Sequence, residues 1–237
     1  MKISLEFQLG DNHIDKKYRN GIVSFFKKSF LNSSEDLYNK YYNNRYSIKN
    51  FTFSVFLDNP KFMKDKIILN SSNMKINFSI LDFSDGIDIY NAFLKMRGNI
   101  YPIFDNVMTL KSINIENSKQ ISKGTVIIKM LSPLIVRTNS NGKNRYLNFK
   151  EDGFIENLNQ SIEYVLNEFT NIDLSTRNFE ISPINAKKTV VNAFGTNLTA
   201  NIGTFKVVTD VDIINALYQL GIGSRRSEGF GMFEIIV

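Results

Sequence analysis

Residues 221–233 read Gly221-Ile222-Gly223-Ser224-Arg225-Arg226-Ser227-Glu228-Gly229-Phe230-Gly231-Met232-Phe233. Two Gly-hydrophobic-Gly triplets bracket a polar stretch that carries two arginines. Glycine takes positive φ at little steric cost, and the missing Cβ lets a polyanion come close to the backbone. Gly221, Gly223, Gly229 and Gly231 therefore read as the shaping residues of a phosphate-binding loop, and Arg225 and Arg226 as its charge. The loop leads into a last strand-like run that closes the chain.

Working back from this loop, Ile213, Ile214, Leu217 and Leu220 recur at helical spacing behind Asp210, a residue suited to capping. Strand-like segments at 179–184, 188–194 and 199–208 precede that helix. Before them come a helix over 151–169, with Phe154, Leu158, Ile162, Val165, Leu166 and Phe169 on one face, and a strand over 124–131. The first half runs in the same order. Residues 2–9 alternate Ile3, Leu5, Phe7 and Leu9 with polar residues, and a helix over 15–31 follows with Asp15 as its cap. A strand over 48–57, a hairpin of 66–69 and 75–80 about Asn70-Ser71-Ser72-Asn73, a helix over 84–97 and a strand over 107–116 complete it. The repeated β-α-β-β-α-β order predicts an α+β protein of two tandem ferredoxin-like domains, residues 1–118 and 122–237.

The 237 residues are 43% hydrophobic, with 20 phenylalanines, ample for packed cores of this size. No apolar run is long enough to cross a bilayer, and the N-terminus meets charge and glycine before a signal-peptide core can form, so a cytoplasmic protein without membrane contact is expected. The chain has no cysteine and a single histidine, His13, which argues against disulfides, thiolate metal sites and a zinc centre. No cofactor is called for. The formal net charge of +6 favours nucleic acid or another polyanion as partner.

Lys49-Asn50-Phe51-Thr52-Phe53-Ser54, then Leu131-Ser132-Pro133-Leu134-Ile135-Val136 followed by Tyr146-Leu147 and the helix from Glu151, and last the glycine segment, stand in chain order. Together they resemble the CRISPR-associated endoribonucleases that cut repeat RNA into guide units, family six of the Cas proteins in the RAMP superfamily. The resemblance implies tandem ferredoxin-like domains and CRISPR repeat RNA, or its precursor transcript, as the partner. It also implies metal-independent cleavage by 2′-OH attack, leaving a 2′,3′-cyclic phosphate and a 5′-hydroxyl. Such a protein serves antiviral defence as a monomer or homodimer, or within a CRISPR effector complex.

Many members carry a histidine shortly before the motif that Lys49 opens. Counting back without gaps, that place falls on Asn43, within Tyr41-Tyr42-Asn43-Asn44-Arg45-Tyr46. The family's first-helix tyrosine falls near Ser24, and Lys49 matches its lysine. Asparagine cannot accept a proton as a base, although it can donate a hydrogen bond to a phosphate oxygen. The resemblance thus implies a catalytic set drawn from Ser24, Tyr42, Asn43, Arg45 and Lys49. In one reading Lys49, Arg45 or Lys40 stabilises the developing charge while Tyr38, Tyr41, Tyr42 or Tyr46 orients the RNA or exchanges a proton. In another the chain binds repeat RNA without cutting it. Lys187, Lys188 and Arg145, with Lys143, are further candidates to line the RNA groove. A third reading, a small phosphorylated ligand, lacks the Gly-x-Gly-x-x-Gly or phosphate-loop lysine that such a site uses between a strand and a helix. Phe51 and Phe53 alternate with Thr52 and Ser54 and read as core.

Overall fold

A computed structural model describes residues 1–43, 47–117, 119–140 and 142–236. The chain is α+β and divides into two compact units. One comprises Met1–Lys49, Val55–Asn117 and Asn192–Gly195; the other comprises Asn50–Ser54, Ser118–Val191 and Thr196–Val237. No helix among the described residues is long and apolar enough to cross a membrane.

The first part of the chain runs β1 (Lys2–Leu9), β2 (His13–Asp15), α1 (Tyr18–Ser33), α2 (Glu35–Tyr42), β3 (Phe51–Leu57), β4 (Lys61–Phe62), β5 (Lys66–Ile68), β6 (Asn73–Ile80), α3 (Phe83–Leu94), β7 (Ile100–Ile103) and β8 (Asn106–Glu116), the first four residues of β3 belonging to the second unit. Its main sheet has the order β3-β6-β1-β8-β7. The four strands β1, β3, β6 and β8 thus lie in the order second, third, first, fourth, the antiparallel arrangement of a ferredoxin-like fold. Alternation along β1 sends Phe7 toward the helices, where its ring meets Phe25 edge-on at 5.3 Å. Ile22, Phe25, Phe26 and Phe30 line the buried side of α1, and Phe93 of α3 packs among them, 5.3 Å from Phe26 and 5.5 Å from Phe78 of β6. These offset and edge-to-face pairs add directionality to burial that area alone would not give.

The second unit runs β9 (Thr125–Met130), β10 (Val136–Ser140), β11 (Lys143–Leu147), α4 (Phe154–Phe169), β12 (Phe179–Ala193), β13 (Thr196–Thr209), α5 (Val211–Leu220), a single 3₁₀ turn (Arg226–Glu228) and β14 (Phe233–Ile235). Its sheet order, β12-β13-β9-β14, repeats the order of the first unit. Phe154, Leu158, Ile162, Val165 and Leu166 form the buried stripe of α4.

Three local expectations change, and one stretch gains an element. Asp15 ends β2 and accepts a hydrogen bond from the Lys17 amide; it does not cap α1, which starts after Lys17 without a side-chain cap. The segment 66–69 forms no hairpin with 75–80, because β5 pairs with β2 and β4 in a separate three-stranded sheet. The tyrosine-rich stretch holds a second helix, α2, whose Ser34 cap accepts from the Leu37 amide. Three short segments between 179 and 208 are two long strands joined at Phe194-Gly195. Both turn residues have positive φ, the geometry whose twist suits a two-residue hairpin.

Asn201 of β13 pins the second unit's hairpin. Fully buried, it donates to the carbonyls of Leu134 and Leu147 and accepts from the Phe149 amide at 2.9 Å. Asn201→Leu keeps the branched shape at Cγ and strands the Leu147 carbonyl and the Phe149 amide. The expected loss is about 2–4 kcal/mol of stability, read from the denaturant midpoint. A midpoint equal to that of the parent would show that these bonds do not hold the hairpin.

Candidate functional site

Three sequence motifs meet within the second unit. The glycine segment lies against the stretch 131–136, with Ser224 N donating to Ile135 O at 2.8 Å, Gly231 N to Pro133 O at 3.0 Å and Met232 N to Ser132 Oγ at 2.9 Å. It also folds onto itself, Ile222 N donating to Gly231 O at 2.9 Å. Thr52 Oγ1 lies 3.0 Å from Phe230 O and 3.3 Å from Arg226 O. All four glycines have positive φ, between 72° and 88°. What fills the space of their missing Cβ atoms is the chain itself. A Cβ on Gly231 would overlap Ile222 O, one on Gly223 would overlap Ile135 O, and one on Gly229 would sit 2.8 Å from the Phe53 ring. The glycines are thus required for close backbone packing, and only Ser224, Arg225, Ser227 and Glu228 of the segment reach the surface.

The structure separates the two arginines that the sequence pairs. Arg226 is buried, and its Nη1 donates to Leu220 O, the carboxyl end of α5, where the helix dipole favours a cation. Burial lowers its pKa to about 10, so it stays charged at neutral pH. Arg226 is therefore an internal clasp and does not face an RNA phosphate. Arg225 is half-buried in the left-handed region (φ 59°), with its guanidinium held by Glu228 Oε2 at 2.7 Å and the Tyr146 hydroxyl at 3.0 Å. Burial opposes its charge, and Glu228 and Tyr146 outweigh that, leaving its pKa above the ordinary arginine value. Arg145 is exposed on β11 and paired with Glu151. Lys187 and Lys188 are exposed on β12.

In the first unit, Lys49 and Tyr42 come together, the Lys49 ammonium standing 5.1 Å from the Tyr42 ring centroid. Lys27 of α1 is 5.2 Å from the same centroid. The ring is packed by Phe30 at 5.7 Å and Tyr38 at 5.8 Å. Its hydroxyl is buried with no hydrogen-bond partner among the described residues. Burial, with Tyr38 beside it, raises the Tyr42 pKa above the ordinary tyrosine value. Asn43 caps the end of α2 and is exposed. Ser24 is exposed on α1, one turn before Lys27, with Oγ 2.9 Å from the Tyr101 hydroxyl. Lys40 is taken up by Asp85, which also accepts from the buried Tyr41 hydroxyl, so both residues brace the fold. Arg45 and Tyr46 lie outside the described residues. His13 is on β2, with Nε2 3.2 Å from Asp105 Oδ2.

Two ferredoxin-like units, with a glycine segment between the last helix and the last strand of the second, define a RAMP-type protein. Residues 116–235 match the family model of the CRISPR associated protein Cas6, C-terminal, and the chain belongs to that family. Among solved structures, the product of a Cas6-related gene from Pyrococcus furiosus is 22% identical, with a TM-score of 0.88 over 100% of this chain and 98% of that one. A structure described as a RAMP protein binding different RNA substrates is 20% identical, with a TM-score of 0.85 and full coverage of both chains. A Cas6 product complex is 13% identical, with a TM-score of 0.75 over 99% of each chain. No curated protein matches the chain.

Sequence reasoning missed Lys27, Tyr101 and Tyr146. Tyr146 stands in the second motif without a role given to it, and Lys27 and Tyr101 are ordinary surface-type residues whose partners lie elsewhere in the chain, so no local spacing marks them. Arg226→Ala is expected to cost about 2–4 kcal/mol, since it empties a buried site and leaves the Leu220 carbonyl without its donor. Gly231→Ala should be at least as damaging, because the strain of positive φ adds to the overlap. Arg225→Ala should leave the melting temperature near that of the parent. Thermal unfolding of the three variants checks the ordering, and a stable Arg226→Ala would overturn the clasp.

Proposed function

We propose that this protein binds CRISPR repeat RNA and cleaves it without a metal ion to release guide RNA. The observation that carries this reading is the convergence of Lys49 and the Tyr42 ring beside exposed Asn43 in a protein of the Cas6 family. The net charge of +6 and the partly exposed Arg225 beside the Tyr146 ring also support it. In this reading exposed Arg145, Lys187 and Lys188 add phosphate contacts, each lost contact lowering the salt dependence of binding by about one counterion.

In the proposed reaction the ribose O2′ bonds to phosphorus as the P–O5′ bond breaks. The 2′-OH proton leaves to water and O5′ takes up a proton, so the products are a 2′,3′-cyclic phosphate and a 5′-hydroxyl, with no net water consumed. Lys49 neutralises the charge that builds on the non-bridging oxygens, and the amide of Asn43 donates a hydrogen bond to one of them. Tyr42 is not the base. Its hydroxyl is buried and its pKa is raised, so it holds its proton, and its ring serves as the platform for Lys49. Without an imidazole here the chemistry relies on positioning and charge, which suffice for a slow single-turnover enzyme.

A second reading, a repeat-RNA-binding protein that does not cut, is favoured by one fact: Asn43 stands where the family histidine falls, and His13 is engaged with Asp105. Incubating the protein with labelled repeat RNA in EDTA separates the two. Cyclic-phosphate fragments are the expected result; retention of intact RNA would select the second reading. Asn43→His is expected to raise the rate at neutral pH at least tenfold and to introduce a titration near pH 6.5, above which the neutral imidazole acts as base. The parent rate should instead climb steadily with pH as the 2′-OH is deprotonated. An unchanged rate in Asn43→His, together with loss of cleavage in His13→Ala, would move the base to His13.

A further inference from the structure

We infer that the small three-stranded sheet β2-β5-β4 is a separate docking surface for an unpaired segment of RNA, where Phe62 stacks on a base and Lys16, Lys17, Lys61, Lys64 and Lys66 meet the phosphates beside it. That the partner is RNA rests on the binding reading above and not on cleavage. Asp15 of β2 lies opposite Lys66 of β5, and Phe62 of β4 lies opposite Ile67. Lys16 and Lys17 therefore leave β2 at the end of the sheet where the β4–β5 turn, closed by Met63 N donating to Lys66 O at 2.9 Å, carries Lys64. Five lysines from two separate segments are gathered there against Asp15 and Asp65. None of the five forms an ion pair among the described residues, and Asp15 is occupied by the Lys17 amide.

Ile14, Ile67 and Phe62 stand side by side across the three strands, on one face of the sheet, since directly opposed residues project to the same side. Ile14 and Ile67 are buried, whereas Phe62 is 70% exposed and Met63 beside it 54%. The core is complete before the row reaches Phe62, and the ring overhangs the edge. Lysines on an edge strand discourage pairing with another chain, but a bare phenylalanine on the same edge invites contact, so edge protection does not account for the two together. A flat ring flanked by unpaired ammoniums is the arrangement that holds single-stranded nucleic acid, the ring taking a base by its face and the cations tracking the backbone. A duplex hides its base faces, so the surface selects an unpaired segment. After Lys49 the chain runs along the seven residues of β3, about 20 Å, before it reaches β4, so a contact at Phe62 and one at Lys49 fall on different nucleotides.

The test titrates the full-length protein with labelled 2′-O-methyl repeat RNA, which cannot be cut, and with 2′-O-methyl oligouridine of equal length. Phe62→Ala should weaken binding of the repeat RNA about 5- to 100-fold, the loss of one stacked base. Phe62→Trp should keep the parent affinity, and Phe62→Leu, apolar but without a π-face, should fall with the alanine variant. Lys61→Ala, Lys64→Ala and Lys66→Ala combined should lower the salt slope by about two units, at about 0.7 per phosphate of a single strand. The substituted residues are exposed, so the melting temperatures should stay at that of the parent. If the parent binds repeat RNA and both Phe62→Ala and the triple lysine variant match it in affinity and slope, the inference fails while the RNA-binding reading stands. Parent affinity in Phe62→Leu, with loss in Phe62→Ala, would make the ring a plain apolar contact of the kind a protein partner uses, and would equally overturn it. If the parent does not retain repeat RNA but holds oligouridine through Phe62, the surface stands and the repeat-RNA reading fails. A parent that retains neither removes both.

Discussion

The second unit depends on a place where two stretches of backbone approach more closely than any side chain would allow. Gly231 lies under the Ile222 carbonyl and Gly223 under that of Ile135. These contacts let Ile222, Ser224, Gly231 and Met232 spend their amides on partners inside the unit. Once the segment is drawn in, Arg226 must be buried, and it resolves its charge at the end of α5, where Leu220 O receives it. Arg225 is left at the rim in a left-handed conformation, with Glu228 and Tyr146 fixing its guanidinium. The polar five-residue stretch is therefore divided by function, one arginine serving stability and the other remaining available at the surface.

The fold was legible because its elements announce themselves by period. The alternation of β1, the Phe25, Phe26 and Phe30 side of α1 and the stripe of α4 are local patterns, and the β-α-β-β-α-β order followed from them. What escaped is set by distant partners. The β5 strand has the composition of a hairpin arm, but its partners are β2 and β4. Asp15 looks like a helix cap, and β2 claims it first. The 15-residue β12 was read as two pieces, because polar Asn185 and Lys187 interrupt the apolar pattern on strands where few residues are buried.

The site was legible in part for the same reason. Glycines at fixed spacing mark a backbone requirement, and positive φ is found at all four. Their purpose, packing against the chain's own carbonyls, cannot be told from spacing, since a ligand and a neighbouring strand ask the same thing of a Cβ. Burial of Arg226 was equally hidden, because adjacent arginines in a polar run look alike until one of them meets a helix end. Lys49 and Tyr42 were nominated together and lie together. Lys27 was not, because a lysine on the exposed face of a helix is the commonest of residues, and only the ring it stands over distinguishes it.

The bond from Thr52 to the Phe230 carbonyl joins residues 178 positions apart. On the ribosome, Thr52 emerges long before its partner exists. At roughly 5–20 residues per second the interval is about 9–36 s, far longer than helices and hairpins take to form. During that time the strand that carries Thr52 and Phe53 must wait with an apolar ring and a hydroxyl unplaced. The segment from Gly229 is thus the one that completes the second unit, and a chain stalled or truncated before Gly229 has not merely lost a loop. It carries an unfinished core around Thr52 and Phe53, which makes the segment from Gly229 onward a condition for folding of the second unit.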